Sequence, residues 1–233
     1  MTELPVLNPK TAYALWAASY PPHAHNPLMQ TEERAMLALL PTDLRGCTVL
    51  DAGCGSGRYL RHAHQRGAQA LIGVDLSPEM LRRAQREVVD AVEGDGRIGL
   101  AQAELEALPV QDAWSDVTLC GLTLGHLEDL RAPLAELRRV TRPGGILLCS
   151  DIHPIGKAQA WPRDFRVGDR RYAVRHTWHL LDDWHTVCRD LGWRIRCIRE
   201  PRLDPADIPP GAQFDVAALE LPVAIVFEME RES

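Results

Sequence analysis

Three glycines at alternate positions constrain this chain more than any other feature of its sequence. Gly53, Gly55 and Gly57 follow the apolar run 49–52 and precede a helical pattern. This order predicts a strand, a tight turn and the start of a helix. Because glycine tolerates positive φ and carries no Cβ, a ligand approaches the backbone closely at such a turn. We therefore expect a nucleotide-like ligand here.

The spacing of these glycines separates two classes of ligand. The dinucleotide fingerprint runs G-x-G-x-x-G and directs helix N–H groups at a pyrophosphate, whereas this chain has G-x-G-x-G. Asp51 also lies at the strand end, where a carboxylate suits a cationic group better than a phosphate. The turn therefore favours S-adenosylmethionine, which carries an ammonium and a sulfonium. A nicotinamide-dependent oxidoreductase is an alternative with the same fold.

A second apolar strand, 70–75, ends in an acid eighteen residues after Gly57. In Rossmann-type sites a carboxylate at this place accepts hydrogen bonds from ribose hydroxyls, so we assign that role to Asp75. Ser77 and Pro78 then predict a helix, with Ser77 as N-cap and Pro78 at the first helical position.

Ordered motifs occur at 50–57, 73–81, 103–109, 115–117 and 139–148. Together they resemble the class I S-adenosylmethionine-dependent methyltransferases, in particular the small-molecule branch. The resemblance implies an α/β fold, with a Rossmann-like, seven-stranded, mostly parallel sheet and helices on both faces. Strands are predicted near Val49, Ile72, Ile98, Val117 and Ile146, then over 193–198 and 223–229, with a helix from Asp182 to Gly192.

The resemblance also implies S-adenosylmethionine as cofactor and S-adenosylhomocysteine as product. It assigns Asp75 to the ribose and Asp51 to the methionine end of the cofactor. Where the family usually has Gly-Asp in its third motif, this chain has Ala103-Glu104, which implies that Glu104 accepts from the adenine amino group. The other residues implied at the cofactor are Tyr20, Gly53, Cys54, Gly55, Leu76, Leu105 and Cys120.

Two segments outside the core motifs are expected to choose the acceptor. We predict a single domain over 1–233, with an amino-terminal helical cap (1–40), a cofactor-binding core (41–152), an inserted lid after the fifth strand (153–181) and completion of the sheet (182–233). Within the lid, Trp161, His176 and His179 are candidates for the acceptor pocket.

Histidines follow the predicted fourth and fifth strands and are candidate catalytic bases. A proton acceptor is needed if the nucleophile is a hydroxyl or a protonated amine, and histidine suits that role. His126 and His153 are therefore predicted to give a rate that rises near the ordinary histidine pKa of ~6.5. The alternative for each is a helix cap or a hydrogen-bonded structural imidazole.

Composition excludes several classes of partner. The 233 residues include 26 basic and 32 acidic side chains, a net charge of −6 that offers no general footing for nucleic acid. No apolar run approaches a membrane span, and the start of the chain lacks a signal peptide pattern, so we expect a cytoplasmic monomer or homodimer with no membrane partner. The six cysteines lack Cys-x-x-Cys spacing, which predicts reduced thiols and no metal site.

The prediction is therefore a methyltransferase that acts on an oxygen or nitrogen of a small molecule, aromatic or polycyclic, in specialised metabolism. Carbon methylation is the next alternative. Two others are a noncatalytic S-adenosylmethionine-binding protein and a metal-dependent hydrolase or lyase that uses the histidines His126, His153, His176 and His179.

Overall fold

A computed structural model describes residues 4–92, 97–208 and 216–233. The strands in chain order are β1 (Val6–Leu7), β2 (Thr48–Ala52), β3 (Ala70–Asp75), β4 (Ile98–Gln102), β5 (Ser115–Gly121), β6 (Thr141–Ile152), β7 (Asp164–Val167), β8 (Arg170–Val174), β9 (Trp193–Arg199) and β10 (Ala224–Arg231). The helices are α1 (Pro9–Trp16), α2 (Pro27–Leu39), α3 (Arg58–Gln65), α4 (Pro78–Ala84), α5 (Arg131–Val140), α6 (Ile155–Ala158) and α7 (Leu181–Leu191).

Seven of these strands form the central sheet in the order β4-β3-β2-β5-β6-β10-β9. The neighbouring pairs from β4 to β6 are parallel, and β10 runs antiparallel to both β6 and β9. The Rossmann-like α/β fold predicted from the sequence is confirmed. Because the parallel strands point the same way, their carboxyl ends meet at one edge, where open α/β sheets bind ligands.

Two apolar clusters cover the two faces of this sheet. One contains Leu50 with residues of α5 and α7, including Trp184, whose ring stacks on Phe227 at a centroid distance of 4.6 Å. The other contains Val49 with residues of α2 and α3, including Leu60. Consecutive strand residues point to opposite faces, so Val49 and Leu50 enter different clusters. Helices on both faces therefore bury the sheet, as alternating strand and helix signals predict.

The amino-terminal segment and the segment after β6 form one layer rather than two separate elements. β1 pairs in parallel with β8, and β8 pairs antiparallel with β7, which gives a second, three-stranded sheet. Trp16 at the end of α1 stacks on Phe165 of β7, with ring centroids 4.8 Å apart. We call α1 and this small sheet the cap–lid layer.

The six cysteines are free thiols, and four of them are buried. Within the described ranges, no helix combines the length and the apolar character required to cross a bilayer.

Candidate functional site

A cavity of about 850 Å³ lies where the carboxyl ends of β2, β3 and β5 meet the cap–lid layer. Gly53, Gly55 and Asp75 line it from the sheet side. Tyr13 and Trp16 of α1 line it from the cap–lid layer. The volume is at the upper end of the range of about 300–1,000 Å³ that is usual for small-ligand sites. The cavity therefore has two compartments, one lined by the glycine turn and a carboxylate on the sheet side and one lined by aromatic rings of the cap–lid layer.

The glycine turn adopts the backbone conformation that its sequence predicts. Gly53, Gly55 and Gly57 have φ values of +77°, +53° and +83°, and Gly57 is the N-cap of α3. The backbone N–H groups of Gly53 and Cys54 both donate to the carbonyl of Val74, at 2.7 and 2.9 Å. A Cβ on Gly53 would lie 2.4 Å from Oγ1 of Thr123. Only glycine fits a turn held this tightly between β3 and Thr123, two residues after β5.

Asp75 at the end of β3 is fixed by two backbone donors. Its Oδ2 accepts from the N–H of Gly55 and its Oδ1 accepts from the N–H of Ser77, each at 2.8 Å. Burial raises the pKa of this carboxyl, and the backbone donors oppose the rise. Since a carboxylate oxygen has more than one acceptor site, both oxygens retain capacity for a further hydrogen bond. Two oriented acceptors that line the cavity suit a pair of adjacent hydroxyl groups.

Asp51 lies behind the glycine turn and is 1% exposed. Neither of its carboxylate oxygens makes a hydrogen bond of good geometry within the described part of the chain. Burial raises its pKa to about 7, with the neighbouring Asp75 adding to the rise and Arg58 opposing it. A buried carboxylate without a partner gains strongly from a nearby cation. Although the Asp51 side chain lies behind the lining, its charge favours a ligand with a positively charged group near the turn.

A buried charge cluster supports the same wall of the cavity. Glu32 of α2 is fully buried and accepts from Arg58 at 2.9 Å, from the hydroxyl of Tyr59 at 2.7 Å and from Ser150 at 2.5 Å. A second contact joins Arg58 to Glu33 at 3.3 Å. The charge of Arg58, which lines the cavity, is therefore balanced within the protein.

His126, which follows β5, lines the cavity on the side of the cap–lid layer. Its Nδ1 lies 3.3 Å from the carbonyl of Arg175, and its Nε2 lies 3.0 Å from the hydroxyl of Tyr13. Since a carbonyl only accepts, Nδ1 carries the proton and Nε2 accepts from Tyr13. Burial, together with the charge of Arg163, lowers the pKa of His126 well below its usual value. The sequence-based value of ~6.5 is therefore wrong for this histidine.

Comparison with known proteins places this geometry in a family. Residues 50–149 match the family model described as "Methyltransferase domain". The chain is 25% identical to an S-adenosylmethionine-dependent methyltransferase from Mesorhizobium loti, with a TM-score of 0.70 over 86% of this chain and 98% of that one. The matched range 50–149 carries the glycine turn and Asp75. The chain contains a class I S-adenosylmethionine-dependent methyltransferase domain.

Relatives of this methyltransferase domain differ in length and in chemistry. A malonyl-(acyl-carrier protein) O-methyltransferase from Pseudescherichia vulneris is 35% identical over 171 residues, which are 71% of this chain and 63% of that protein. The chain spans about half of the length of several other proteins of that name. The fold is also that of the (4+2)-cyclase SpnF, at 15% identity, a TM-score of 0.70 and 99% of each chain. The fold by itself therefore does not fix the reaction.

Most residues that the sequence assigned to the cofactor line the cavity of the methyltransferase domain. Those on its surface are Tyr20, Gly53, Cys54, Gly55, Asp75, Leu76, Glu104 and Leu105, together with the acceptor candidate Trp161 and the candidate base His126. Asp51 lies behind the turn, and Cys120 points into the apolar cluster beneath the strand ends. These two side chains do not reach the lining.

Three histidines assigned to the acceptor region also lie outside the lining. Nε2 of His153 is 2.9 Å from Glu200, and its Nδ1 accepts from the N–H of Ile155, so both ring nitrogens are engaged away from the cavity. His176 contacts Arg163, and His179 donates to the carbonyl of Leu127. The structure therefore places these three histidines behind the cavity wall, which corrects their assignment to the acceptor pocket or to catalysis. Within the described ranges, no three His, Cys, Asp or Glu side chains group as metal ligands.

Two further residues line the cavity, Tyr13 and Arg163, and no sequence pattern singles them out. Tyr13 lies in α1, seven residues before Tyr20, which the sequence favoured. Its hydroxyl is hydrogen-bonded to both His126 and Arg163. Arg163 precedes β7 in a stretch without clear periodicity. Their contact spans 150 positions along the chain, and no local pattern predicts it.

Asp51 gives the first testable prediction, because its raised pKa couples cofactor binding to pH. We expect its charged form to attract the ammonium of S-adenosylhomocysteine, and this form is lost as the pH falls below about 7. Affinity is therefore expected to decrease by up to about tenfold per pH unit below that value and to level off above it. Calorimetric titration between roughly pH 5.5 and 8.5, a range that brackets this pKa, measures the profile. Asp51→Asn is expected to bind more weakly with a flatter profile.

The matched control is Asp116→Asn, at the opposite end of the sheet, where the pKa of the carboxyl is lowered rather than raised. It is expected to keep the original profile. An unchanged pH dependence in Asp51→Asn would assign the ionisation to another group.

Proposed function

We propose that this chain transfers a methyl group from S-adenosylmethionine to an oxygen or nitrogen of a small-molecule acceptor with an aromatic or polycyclic body. One observation carries the proposal. The cavity combines the glycine turn and Asp75 at the sheet with rings of the cap–lid layer, among them Tyr13, Trp16 and Tyr20. One compartment fits the cofactor, and the other is left for an acceptor that packs against rings.

The residues present fit S-adenosylmethionine. Asp75 offers two oriented acceptors for the ribose, and the glycine turn allows close backbone approach. Leu76 and Leu105 supply apolar surface for the adenine, with Glu104 beside them in the lining. Asp51 supplies the buried negative charge for the ammonium. The bound cofactor supplies an activated methyl group on a sulfonium.

The chain's own contribution to methyl transfer is alignment and exclusion of water. In-line displacement is accelerated mainly by holding the nucleophile close to the methyl group and by excluding water from the site. The cap–lid layer covers the carboxyl ends of the strands, and the stacked pair Trp16 and Phe165 braces it. For an acceptor that must lose a proton, we propose that Tyr13 and His126 take it. The acceptor's proton passes to the Tyr13 oxygen while the Tyr13 proton passes to Nε2 of His126.

A second candidate function has a specific observation in its favour. Relatives of the chain are named malonyl-(acyl-carrier protein) O-methyltransferases. Arg163 brings a positive charge into the lining, which suits an acid as acceptor. Methylation of a carboxylate on a carrier-bound acid is therefore the alternative to methylation of a free small molecule.

Cofactor binding is the experiment that tests the proposed function. Calorimetry is expected to show binding of S-adenosylmethionine and S-adenosylhomocysteine and no measurable affinity for NAD. Asp75→Ala removes the acceptors for the ribose and is expected to cost about 1.5–3 kcal/mol of binding free energy, the range for hydrogen bonds to a charged group. Asp43→Ala, at an exposed ion pair with Arg45, is the matched control and is expected to bind normally.

Transfer of a labelled methyl group to a panel of ring-bearing acceptors, with identification of the product, then separates oxygen, nitrogen and carbon methylation. Binding of NAD in place of S-adenosylhomocysteine would contradict the proposal. Full cofactor affinity in Asp75→Ala would show that the ribose lies elsewhere.

A further inference from the structure

Arg163 places a buried cation on the acceptor side of the cavity. It immediately precedes β7 and lines the cavity, yet its side chain is only 12% exposed. Its guanidinium contacts Tyr13 of α1 and the residue after β5, so it lies where the cap–lid layer meets the strand ends. A charge buried to this extent is costly unless it is paired.

The hydrogen-bond partners of Arg163 are neutral. It donates to the hydroxyl of Tyr13 at 3.2 Å, to the carbonyl of Leu122 at 2.5 Å and to Nδ1 of His176 at 3.1 Å. These bonds use three of the five N–H donors of a guanidinium. Asp151 forms an ion pair with it, with Oδ1 at 3.7 Å, which is beyond hydrogen-bonding distance; burial raises the pKa of that carboxyl and the charge of Arg163 opposes the rise. Arg163 therefore lacks a hydrogen-bonded carboxylate within the described part of the chain.

Arg58 shows what a balanced arginine in the same cavity looks like. It donates to Glu32 at 2.9 Å and to Glu33 at 3.3 Å, and both carboxylates come from α2. Among the described residues, Arg163 has one nearby carboxylate, Asp151 at 3.7 Å, and makes no hydrogen bond to it. Its charge is therefore less closely paired than that of Arg58, and a ligand with a negative group on this side of the cavity would give it a hydrogen-bonded partner.

We propose that Arg163 binds a carboxylate of the acceptor, so that the acceptors of this chain are organic acids with an apolar or ring-bearing body. The inference rests on the proposed function and names the substrate class of that site. The donors that remain on Arg163 are Nε–H and one hydrogen of Nη1, and each can make a charge-assisted hydrogen bond to a carboxylate oxygen. The rings of Tyr13 and Trp16 in the same lining would pack against the apolar body.

The carboxylate is assigned to the acceptor rather than to the methionine end of the cofactor because of the residues around Arg163. Its partners belong to α1, to the loop after β5 and to the segment after β8. None of these bonds reaches the glycine turn at 53–57. The cofactor side of the cavity already has its own charged residues in Asp51, Asp75 and Arg58.

The test compares acids with their uncharged amides on protein saturated with S-adenosylhomocysteine. The probes are 3-phenylpropionate and 2-naphthylacetate, each beside its primary amide, and calorimetry measures their dissociation constants. The unaltered protein is expected to bind each acid at least about tenfold more tightly than its amide, as is usual for a charge-assisted pair. Arg163→Gln is expected to remove this preference while its affinity for S-adenosylhomocysteine stays within about twofold.

Two further variants keep the result interpretable. Arg175→Gln removes an exposed charge of the same segment, whose only close carboxylate is Glu128 at 3.7 Å among the described residues, and is expected to keep the preference for acids. Arg163→Lys keeps the charge with fewer donors and is expected to retain part of the preference, which guards against a general loss of folding in Arg163→Gln.

Equal binding of acid and amide by the unaltered protein, or binding of neither at millimolar concentration, would overturn the proposal. So would a preference that survives in Arg163→Gln. A loss of S-adenosylhomocysteine affinity in Arg163→Gln with an unchanged preference would assign the arginine to the cofactor and also overturn it. Failure of the unaltered protein to bind S-adenosylhomocysteine would instead reject the proposed function, and the acid and amide titrations would then be read on the protein alone.

Discussion

Replacement of Gly55 by valine is expected to lower the affinity for S-adenosylhomocysteine by about 100-fold or more, equivalent to roughly 2.8 kcal/mol. Gly55 lines the cavity with φ of +53°, a conformation that costs a β-branched residue about 1–2 kcal/mol. Its new Cβ would lie 3.3 Å from Cε of Met80, and the branched methyl groups would fill the space through which a ligand approaches the backbone. Calorimetric titration measures the loss, and circular dichroism checks that the variant is folded.

Gly46→Val is the matched control for this experiment. Gly46 has a similarly positive φ of +79°, but a Cβ there meets nothing within 4 Å and the residue is absent from the cavity lining. It is expected to lose stability through backbone strain and to keep its affinity. If Gly55→Val folds and binds normally, the cofactor does not approach this turn, and the assignment of the glycines to it is wrong.

Local signals explain why so much of this fold is predictable from the sequence. Each core strand is a short apolar run closed by a glycine, a proline or an acid, and these signals act within a few residues. Ser77 accepts from the N–H of Met80 as the N-cap of α4, and Gly192 ends α7 with φ of +72°. The mostly parallel sheet and the cavity edge follow from such elements, because parallel strands bring their carboxyl ends together.

The acceptor side is not predictable in this way because its contacts are distant in sequence. Val6 of β1 pairs with Ala173 of β8, and Tyr13 is hydrogen-bonded to Arg163. In both pairs, the sequence around one partner does not indicate the other. His153 is a residue for which the local sequence signal predicted the wrong environment. Its position after β6 is typical of a ligand-binding residue, yet Glu200, which follows β9, holds its ring away from the cavity. Periodicity places a residue along a strand, whereas tertiary partners decide where its side chain points.

His126→Ala is expected to lower the rate of methyl transfer by about 10² to 10⁴, the usual contribution of a general base, for an acceptor that must lose a proton. Nε2 of His126 accepts from the Tyr13 hydroxyl at 3.0 Å, so removal of the imidazole leaves the relayed proton without an acceptor. Cofactor affinity is expected to stay near its original value, since His126 makes no contact with the glycine turn. Single-turnover measurements with saturating cofactor separate the rate from binding.

The pH profile distinguishes this role from simple positioning. Burial and Arg163 lower the pKa of His126, so the ring stays neutral through pH 6.5, and the rate is expected to be flat above that value and to fall only at more acidic pH. His126→Ala should remove the fall in rate at acidic pH. Tyr13→Phe, like His126→Ala, should lower the rate of methyl transfer. His179→Ala is the matched control, because His179 bonds to the neighbouring loop at Leu127 and does not line the cavity. If His126→Ala loses less than about tenfold, no base is required, and the nucleophile reaches the cofactor already deprotonated, as a carboxylate held by Arg163 would.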